Sequence, residues 1–167
     1  MVSRYKNPIF WIAVAILLIT VYLSYGVFVD WFDLGFTVGQ FRFNHWLVII
    51  ASFFITIHAP LYHILKRRYP LRAKIFLGIH VLGNLTSFLL ISVHFVSHLS
   101  RPQQFYPDLG TGIVLYSTML ILVITGFAQR FQILPKLSKK WRFVHTSFVM
   151  SIYLVITVHA LQGLGLL

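Results

Sequence analysis

Residues 74–98 decide the fold, and they read KIFLGIHVLGNLTSFLLISVHFVSH. After Lys74 this run contains no charged residue. About 20 consecutive apolar residues are enough for a helix to cross the hydrocarbon core of a bilayer. The segment Ser100-Arg101-Pro102 follows, and proline cannot continue a helix. The sequence therefore predicts a membrane-spanning helix here.

Similar apolar runs occur on both sides of this segment along the chain of 167 residues. Hydrophobic residues make up 58% of the chain and charged residues 10%, whereas soluble domains contain about 25% charged residues. We predict an all-α integral membrane bundle of five transmembrane helices, forming one domain over residues 1–167. The predicted spans are approximately residues 8–29, 45–65, 74–98, 109–130 and 141–164.

The basic residues lie mainly on one side of these spans. The N-terminus, the second-to-third loop and the fourth-to-fifth loop carry Arg4, Lys6, Lys66, Arg67, Arg68, Arg72, Lys74, Arg130, Lys136, Lys139, Lys140 and Arg142. The other side carries Arg42, Arg101, Asp30, Asp33 and Asp108. Because short basic loops stay in the cytoplasm, we predict a multi-pass protein of the cell membrane with a cytoplasmic N-terminus and an external C-terminus. The charges belong to short loops, so we expect lipid and not nucleic acid as a partner.

The absence of cysteine restricts the possible cofactors. Disulfides, iron–sulfur clusters, thiolate-ligated haem and covalently attached c-type haem all require cysteine. The chain has eight histidines against three acidic residues. Any metal cofactor is therefore expected to bind through histidine.

Two pairs of histidines have the same spacing in two spans. The third span carries His80 and His94, and the fifth carries His145 and His159, each pair 14 residues apart. Fourteen residues return a helix to within roughly 40° of its starting face and advance it by roughly 21 Å. The third and fifth spans run in the same direction. We therefore expect His80 to pair with His145 near the cytoplasmic side and His94 with His159 near the outer side.

Facing imidazoles at two heights match the axial ligands that two stacked six-coordinate haems require. Neutral imidazole binds iron without adding charge to the membrane interior. Without cysteine for attachment, the predicted cofactor is haem b, two per chain. Small residues that could leave room for the porphyrin follow or flank the ligands: Gly78, Gly83, Ser147 and Ser151.

Haem propionates need cationic or hydrogen-bonding partners at the membrane surface. Arg72, Lys74 and Arg142 have suitable positions for the cytoplasmic haem. Arg42 and Arg101 have suitable positions for the outer haem, and the positive-inside rule does not account for these two cations.

The other histidines are weaker ligand candidates. His45 and His58 are 13 residues apart, which places them on nearly opposite faces of a straight helix. His63 approaches the cytoplasmic boundary of the second span. His98 lies one turn beyond His94, where a solvated histidine, a propionate contact and a role in proton uptake all remain open.

The paired histidines resemble the ferric reductase-like transmembrane domain, the family of ferric reductases, NADPH oxidases and the haem subunits of methionine sulfoxide reductases. The matching stretches are HVLGNLTSFLLISVH, from His80 to His94, and HTSFVMSIYLVITVH, from His145 to His159. The resemblance covers about residues 40–160 and implies a dihaem cytochrome with a cytoplasmic N-terminus. This sequence departs from the pattern because it lacks the usual sixth span and any flavin or nicotinamide domain. The expected electron source is therefore a separate protein or a membrane quinol.

The expected function is electron transfer between a cytoplasmic donor or quinone pool and an acceptor at the outer face. The chain would then be the haem-containing membrane subunit of an oxidoreductase, with a flavoprotein, a quinol or a larger complex as its redox partner. One alternative is a quinone-reactive cytochrome b anchor with ligands from other helix pairs. Another is a transporter or assembly factor whose histidines relay protons or bind a transition metal.

Overall fold

A computed structural model describes residues 6–101, 110–163 and 165–166. The helices in this part of the chain are α1 (Pro8–Phe28), α2 (Phe43–Arg68), α3 (Ala73–Leu99), α4 (Gly110–Arg130) and α5 (Ser138–Gly163). All five helices are long and apolar enough to cross a membrane. Within the described residues, the prediction of a mainly α-helical chain with five such helices is confirmed. The orientation across the membrane stays a prediction, and Arg4, Pro102, Asp108 and residues 109 and 164 lie outside the described residues.

Local sequence signals explain where several helices begin and end. The Asn7 side chain accepts a hydrogen bond from the Ile9 N–H at 3.0 Å, which caps α1 ahead of Pro8. The last turn of α2 contains Lys66, Arg67 and Arg68, whose charges favour the negative end of a helix dipole. Short 3-10 turns at Pro70–Arg72 and Pro135–Leu137 then lead into α3 and α5. Each turn starts with proline, which needs no N–H partner there.

The contacts divide the chain into two units, Met1–Arg101 and Pro102–Leu167. We call them the N-terminal unit and the C-terminal unit and describe each by itself. The prediction of a single domain over residues 1–167 stays a prediction.

In the N-terminal unit, α3 packs against both α1 and α2. Its buried side chains include Leu85, Phe88 and Ile91. The ring of Phe54 on α2 occupies the space that a Cβ at position 83 of α3 would fill. Because Gly83 has no Cβ, α2 and α3 can pack closely at this point. Many large apolar side chains on the helices stay exposed, as in Phe53 at 68%. Apolar side chains at this exposure fit contact with lipid acyl chains, as expected for a helix in a membrane.

A small antiparallel hairpin connects α1 to α2. It consists of β1 (Thr37–Val38) and β2 (Phe41–Arg42), and Gly39 between them has φ of +63°. Glycine adopts this conformation without the steric cost that a Cβ imposes. The Trp46 Nε1–H donates to the Val38 carbonyl at 2.8 Å, which attaches the hairpin to the first turn of α2.

The C-terminal unit is formed by α4 and α5, which pack against each other. Thr111 contacts His159 near one end of the pair, and Thr125 contacts His145 further along. Chain direction is therefore opposite in the two helices. The buried residues of these two helices include Leu115, Met119 and Ile152.

Candidate functional site

The imidazole of His145 is held by α4. Its Nδ1 lies 3.2 Å from the Leu122 carbonyl oxygen and 3.2 Å from Thr125 Oγ1. A carbonyl oxygen only accepts, and the Thr125 hydroxyl donates its own proton to the Ile121 carbonyl at 2.7 Å. The hydrogen therefore belongs on Nδ1 of His145. Its Nε2 is left with a lone pair, which is the form that binds a metal.

His159 has a similar arrangement 14 residues further along α5. Its Nδ1 lies 3.1 Å from Thr111 Oγ1, and the Thr111 hydroxyl donates to Gln162 Oε1 at 2.6 Å. Because that hydroxyl has one proton, its oxygen accepts from the Nδ1–H of His159. Again Nε2 carries the lone pair.

A glycine lies beside each of these rings. A Cβ added at Gly126 would stand 3.0 Å from Cε1 of His145, and one added at Gly112 would stand 3.5 Å from Cε1 of His159. The threonines and glycines form two adjacent pairs, Thr111-Gly112 and Thr125-Gly126, 14 residues apart. This spacing equals that of the histidines, so two antiparallel helices repeat the same contact twice.

In the N-terminal unit, His94 lies against the start of α2. Its Nδ1 is 3.2 Å from the main-chain oxygen of Asn44, which only accepts. The buried Asn44 side chain donates to Ser97 Oγ at 3.0 Å, and the Ser97 hydroxyl donates to the His94 carbonyl at 2.7 Å. His94 is therefore a third imidazole with hydrogen on Nδ1.

His80 has different surroundings. Its ring stacks on Tyr62 with centroids 4.6 Å apart and lies 5.8 Å from the ring of His58. The Asn84 side-chain nitrogen is 3.3 Å from both ring nitrogens of His80, so this contact does not select a tautomer. The buried Nε2 of His58 has no hydrogen-bond partner among the described residues, and its ring stacks on Phe54 at 4.7 Å.

Three histidine rings cluster at the other end of α2 and α3. His45 lies 5.9 Å from His94 and 6.3 Å from His98, and His94 and His98 are 4.6 Å apart. Within residues 6–101 and 110–163, no group of three or more His, Asp or Glu side chains has the arrangement of a metal site. A porphyrin iron needs only two axial protein ligands, so pairs of imidazoles suffice for it.

The structure brings the α3 histidines to α2 and the α5 histidines to α4. Pairing His80 with His145 and His94 with His159 would join the two units, and it stays a prediction. His45 and His58, which a 13-residue spacing places on nearly opposite faces of a straight helix, both have rings within about 6 Å of an α3 histidine ring.

The predicted propionate partners differ in their surroundings. Arg42 and Arg101 both interact electrostatically with His45, at the end of the unit where His94 lies. Burial and the neighbouring Arg42 together lower the pKa of Arg101. An anion between these two guanidinium groups would relieve their repulsion. Arg72 and Arg142 are exposed, in the turn before α3 and near the start of α5 respectively.

Sequence reasoning missed the residues of α4 that contact the histidines, and it missed the carbonyl of Asn44. The repeated Thr-Gly dipeptide with its 14-residue period was the available signal. No protein-family model, curated protein or solved structure matches this chain.

Proposed function

We propose that this protein is a b-type membrane cytochrome that carries electrons across the bilayer through two bis-histidine haems. His80 and His145 would bind one haem, and His94 and His159 the other. The observation that supports this most is the hydrogen bonding of three of these four imidazoles. His94, His145 and His159 each direct Nδ1–H to an oxygen acceptor. Histidines that bind metals almost always have such a partner.

The chemistry of the candidate ligands fits haem b. The imidazoles lie in apolar helices, where a neutral ligand avoids the cost of a buried charge. The chain has no cysteine for covalent attachment. A haem, when bound, supplies one-electron redox chemistry, while the protein supplies its position and electrostatic environment. Arg42 and Arg101 would pair with propionates at the His94 end, and Arg72 and Arg142 at the other.

The partners follow from the same proposal. The resemblance to ferric reductase-like domains supports transmembrane electron flow. A cytoplasmic flavoprotein or a membrane quinol would donate electrons, and an acceptor at the outer face would receive them. The protein would then act as the haem subunit of an oxidoreductase.

A second candidate, a quinone-reactive cytochrome b anchor, is favoured by the contacts between α2 and α3. His58 lies 5.8 Å from His80, and His45 lies 5.9 Å from His94, which makes α2 a possible source of ligands. The two candidates differ in which histidines are indispensable. His145 and His159 are essential in the first, and His45 and His58 in the second.

The deciding experiment is a pyridine haemochrome assay on the purified chain and its single His→Ala variants. We expect haem b at two per chain, loss of one haem in His145→Ala or His159→Ala, and retention of both in His58→Ala. Haem loss in His58→Ala and not in His145→Ala would favour the anchor. A chain without a haem spectrum would refute both candidates and leave a transporter or assembly factor.

A further inference from the structure

The two Thr-Gly pairs of α4 repeat one contact at two depths of the C-terminal unit. Thr125-Gly126 lies against His145, and Thr111-Gly112 lies against His159. At each place a threonine oxygen is 3.1–3.2 Å from Nδ1. At each place a glycine leaves the space beside Cε1 that a larger residue would occupy. Because the contact is repeated, we expect the Thr-Gly pair to have the same role at both histidines.

The threonine hydroxyls act as acceptors towards Nδ1, and not as donors, because each already donates its one proton to another oxygen. Thr125 donates to the Ile121 carbonyl, and Thr111 donates to Gln162 Oε1. Were either proton free, the hydroxyl could donate to the ring and place the hydrogen on Nε2 instead. The hydrogen bond from Thr111 to Gln162 therefore selects the tautomer of His159, whereas the Leu122 carbonyl already requires hydrogen on Nδ1 of His145 and Thr125 adds a second acceptor there.

His145 and His159 differ in the acceptors that contact Nδ1. His145 Nδ1–H has two acceptors, the Leu122 carbonyl and Thr125 Oγ1, both at 3.2 Å. The contact that orients His159 in the same way runs through Thr111 and continues to Gln162, an exposed residue. Removing a threonine hydroxyl should therefore affect His159 far more than His145.

We infer that Thr111 and Thr125 are positioning residues that hold His159 and His145 with hydrogen on Nδ1, so that Nε2 is the nitrogen presented to a metal. The Nδ1–H tautomers of His145 and His159 are inferred from hydrogen bonds within the C-terminal unit alone. The role of Nε2 as an iron ligand rests on the proposed function. Thr111 is the sensitive position of the two, because the Leu122 carbonyl supports His145 without Thr125.

The first test measures tautomers and does not need haem. The full chain, purified in lipid nanodiscs before haem is added, is labelled with 15N in its imidazole rings and compared by NMR with Thr111→Val, Thr111→Ser, Thr125→Val and Gln162→Leu. We expect His159 to lose its Nδ1–H form in Thr111→Val and to keep it in Thr111→Ser. Gln162→Leu, a change at an exposed side chain, should lower the same population because it frees the Thr111 proton. Thr125→Val should leave His145 as Nδ1–H.

The second test adds haem and measures affinity and midpoint potential. Loss of an outer-shell partner of a metal-binding histidine typically weakens binding about 10–100-fold. Thr111→Val should weaken one haem by about 10-fold and raise its midpoint potential, because a less basic imidazole stabilises ferric iron less well. Thr111→Ser should restore both values, and Thr125→Val should change them less than Thr111→Val.

Three outcomes would overturn the inference: His159 in the Nε2–H form in the wild type, unchanged His159 tautomers in both Thr111→Val and Gln162→Leu, or equal effects of Thr111→Val and Thr125→Val on haem. If the tautomers respond as expected and the wild type binds no haem, the proposed function fails and the positioning role of the threonines stands.

Discussion

Replacing the glycines of α4 by alanine tests how closely the histidine rings lie against that helix. Gly126→Ala would put a methyl group 3.0 Å from Cε1 of His145, whereas Gly112→Ala would put one 3.5 Å from Cε1 of His159. Carbon atoms pack best at about 3.5–4.0 Å. Gly112→Ala is therefore an ordinary contact, and Gly126→Ala requires the ring of His145 to move by about half an ångström.

The cost follows from what that movement breaks. Both acceptors of His145 Nδ1 are on α4 at 3.2 Å, so movement away from α4 lengthens both hydrogen bonds to beyond about 3.5 Å. Each bond contributes about 0.5–1.5 kcal/mol. Alanine gains up to about 1 kcal/mol over glycine in a helix at either position, and this gain cancels in the comparison. We expect Gly126→Ala to be less stable than Gly112→Ala by about 1–3 kcal/mol.

The assay is reversible unfolding of the full chain in mixed micelles with increasing dodecyl sulfate, followed by circular dichroism. Wild type and the two alanine variants are compared under identical conditions, and Gly163→Ala serves as a control because nothing lies within 4 Å of a Cβ there. Equal stability of Gly126→Ala and Gly112→Ala would refute the close approach of His145 to α4.

Three further predictions concern the histidines and their partners. His80→Ala and His94→Ala should each remove a different redox centre in a potentiometric titration, because the proposed haems lie at different depths; loss of the same centre would contradict the pairing by depth. Asn44→Leu should leave His94 in the Nδ1–H form by 15N NMR, since the acceptor is a main-chain carbonyl; an Nε2–H form would show that the side chain matters instead. The purified chain should not oxidise NADPH, yet its haems should become reduced when membranes supply a quinol or a flavoprotein, and rapid reduction by NADPH alone would argue against a separate donor.

The five helices were predictable because a bilayer leaves few solutions for an apolar chain. Backbone groups in lipid must bond within their own segment, so each long apolar run becomes a helix. The hairpin at Thr37–Val38 and Phe41–Arg42 was not predicted. Its polar and aromatic residues show no strand period, and it depends on a contact with Trp46 in the next helix.

The histidine surroundings were predictable only in part. Equal spacing in α3 and α5 identified the four candidate ligands, but spacing along one helix does not say which neighbour supplies a hydrogen bond. The contacts of His145 with Leu122 and of His94 with Asn44 use main-chain carbonyls. Any amino acid can supply such a carbonyl, so the sequence does not reveal these contacts. The contact of His159 with Thr111 uses a side chain, and Thr111 is visible in the sequence as part of the Thr-Gly repeat.

Main-chain and side-chain acceptors respond differently to substitution. Every amino acid supplies a main-chain carbonyl, so substitutions at Leu122 or Asn44 cannot delete the acceptors of His145 and His94. The acceptor of His159 depends on the identity of one side chain, and a single codon change at Thr111 removes it. Position 111 should therefore tolerate little besides threonine and serine among descendants of this protein, while substitutions at positions 122 and 44 leave the acceptors of His145 and His94 in place.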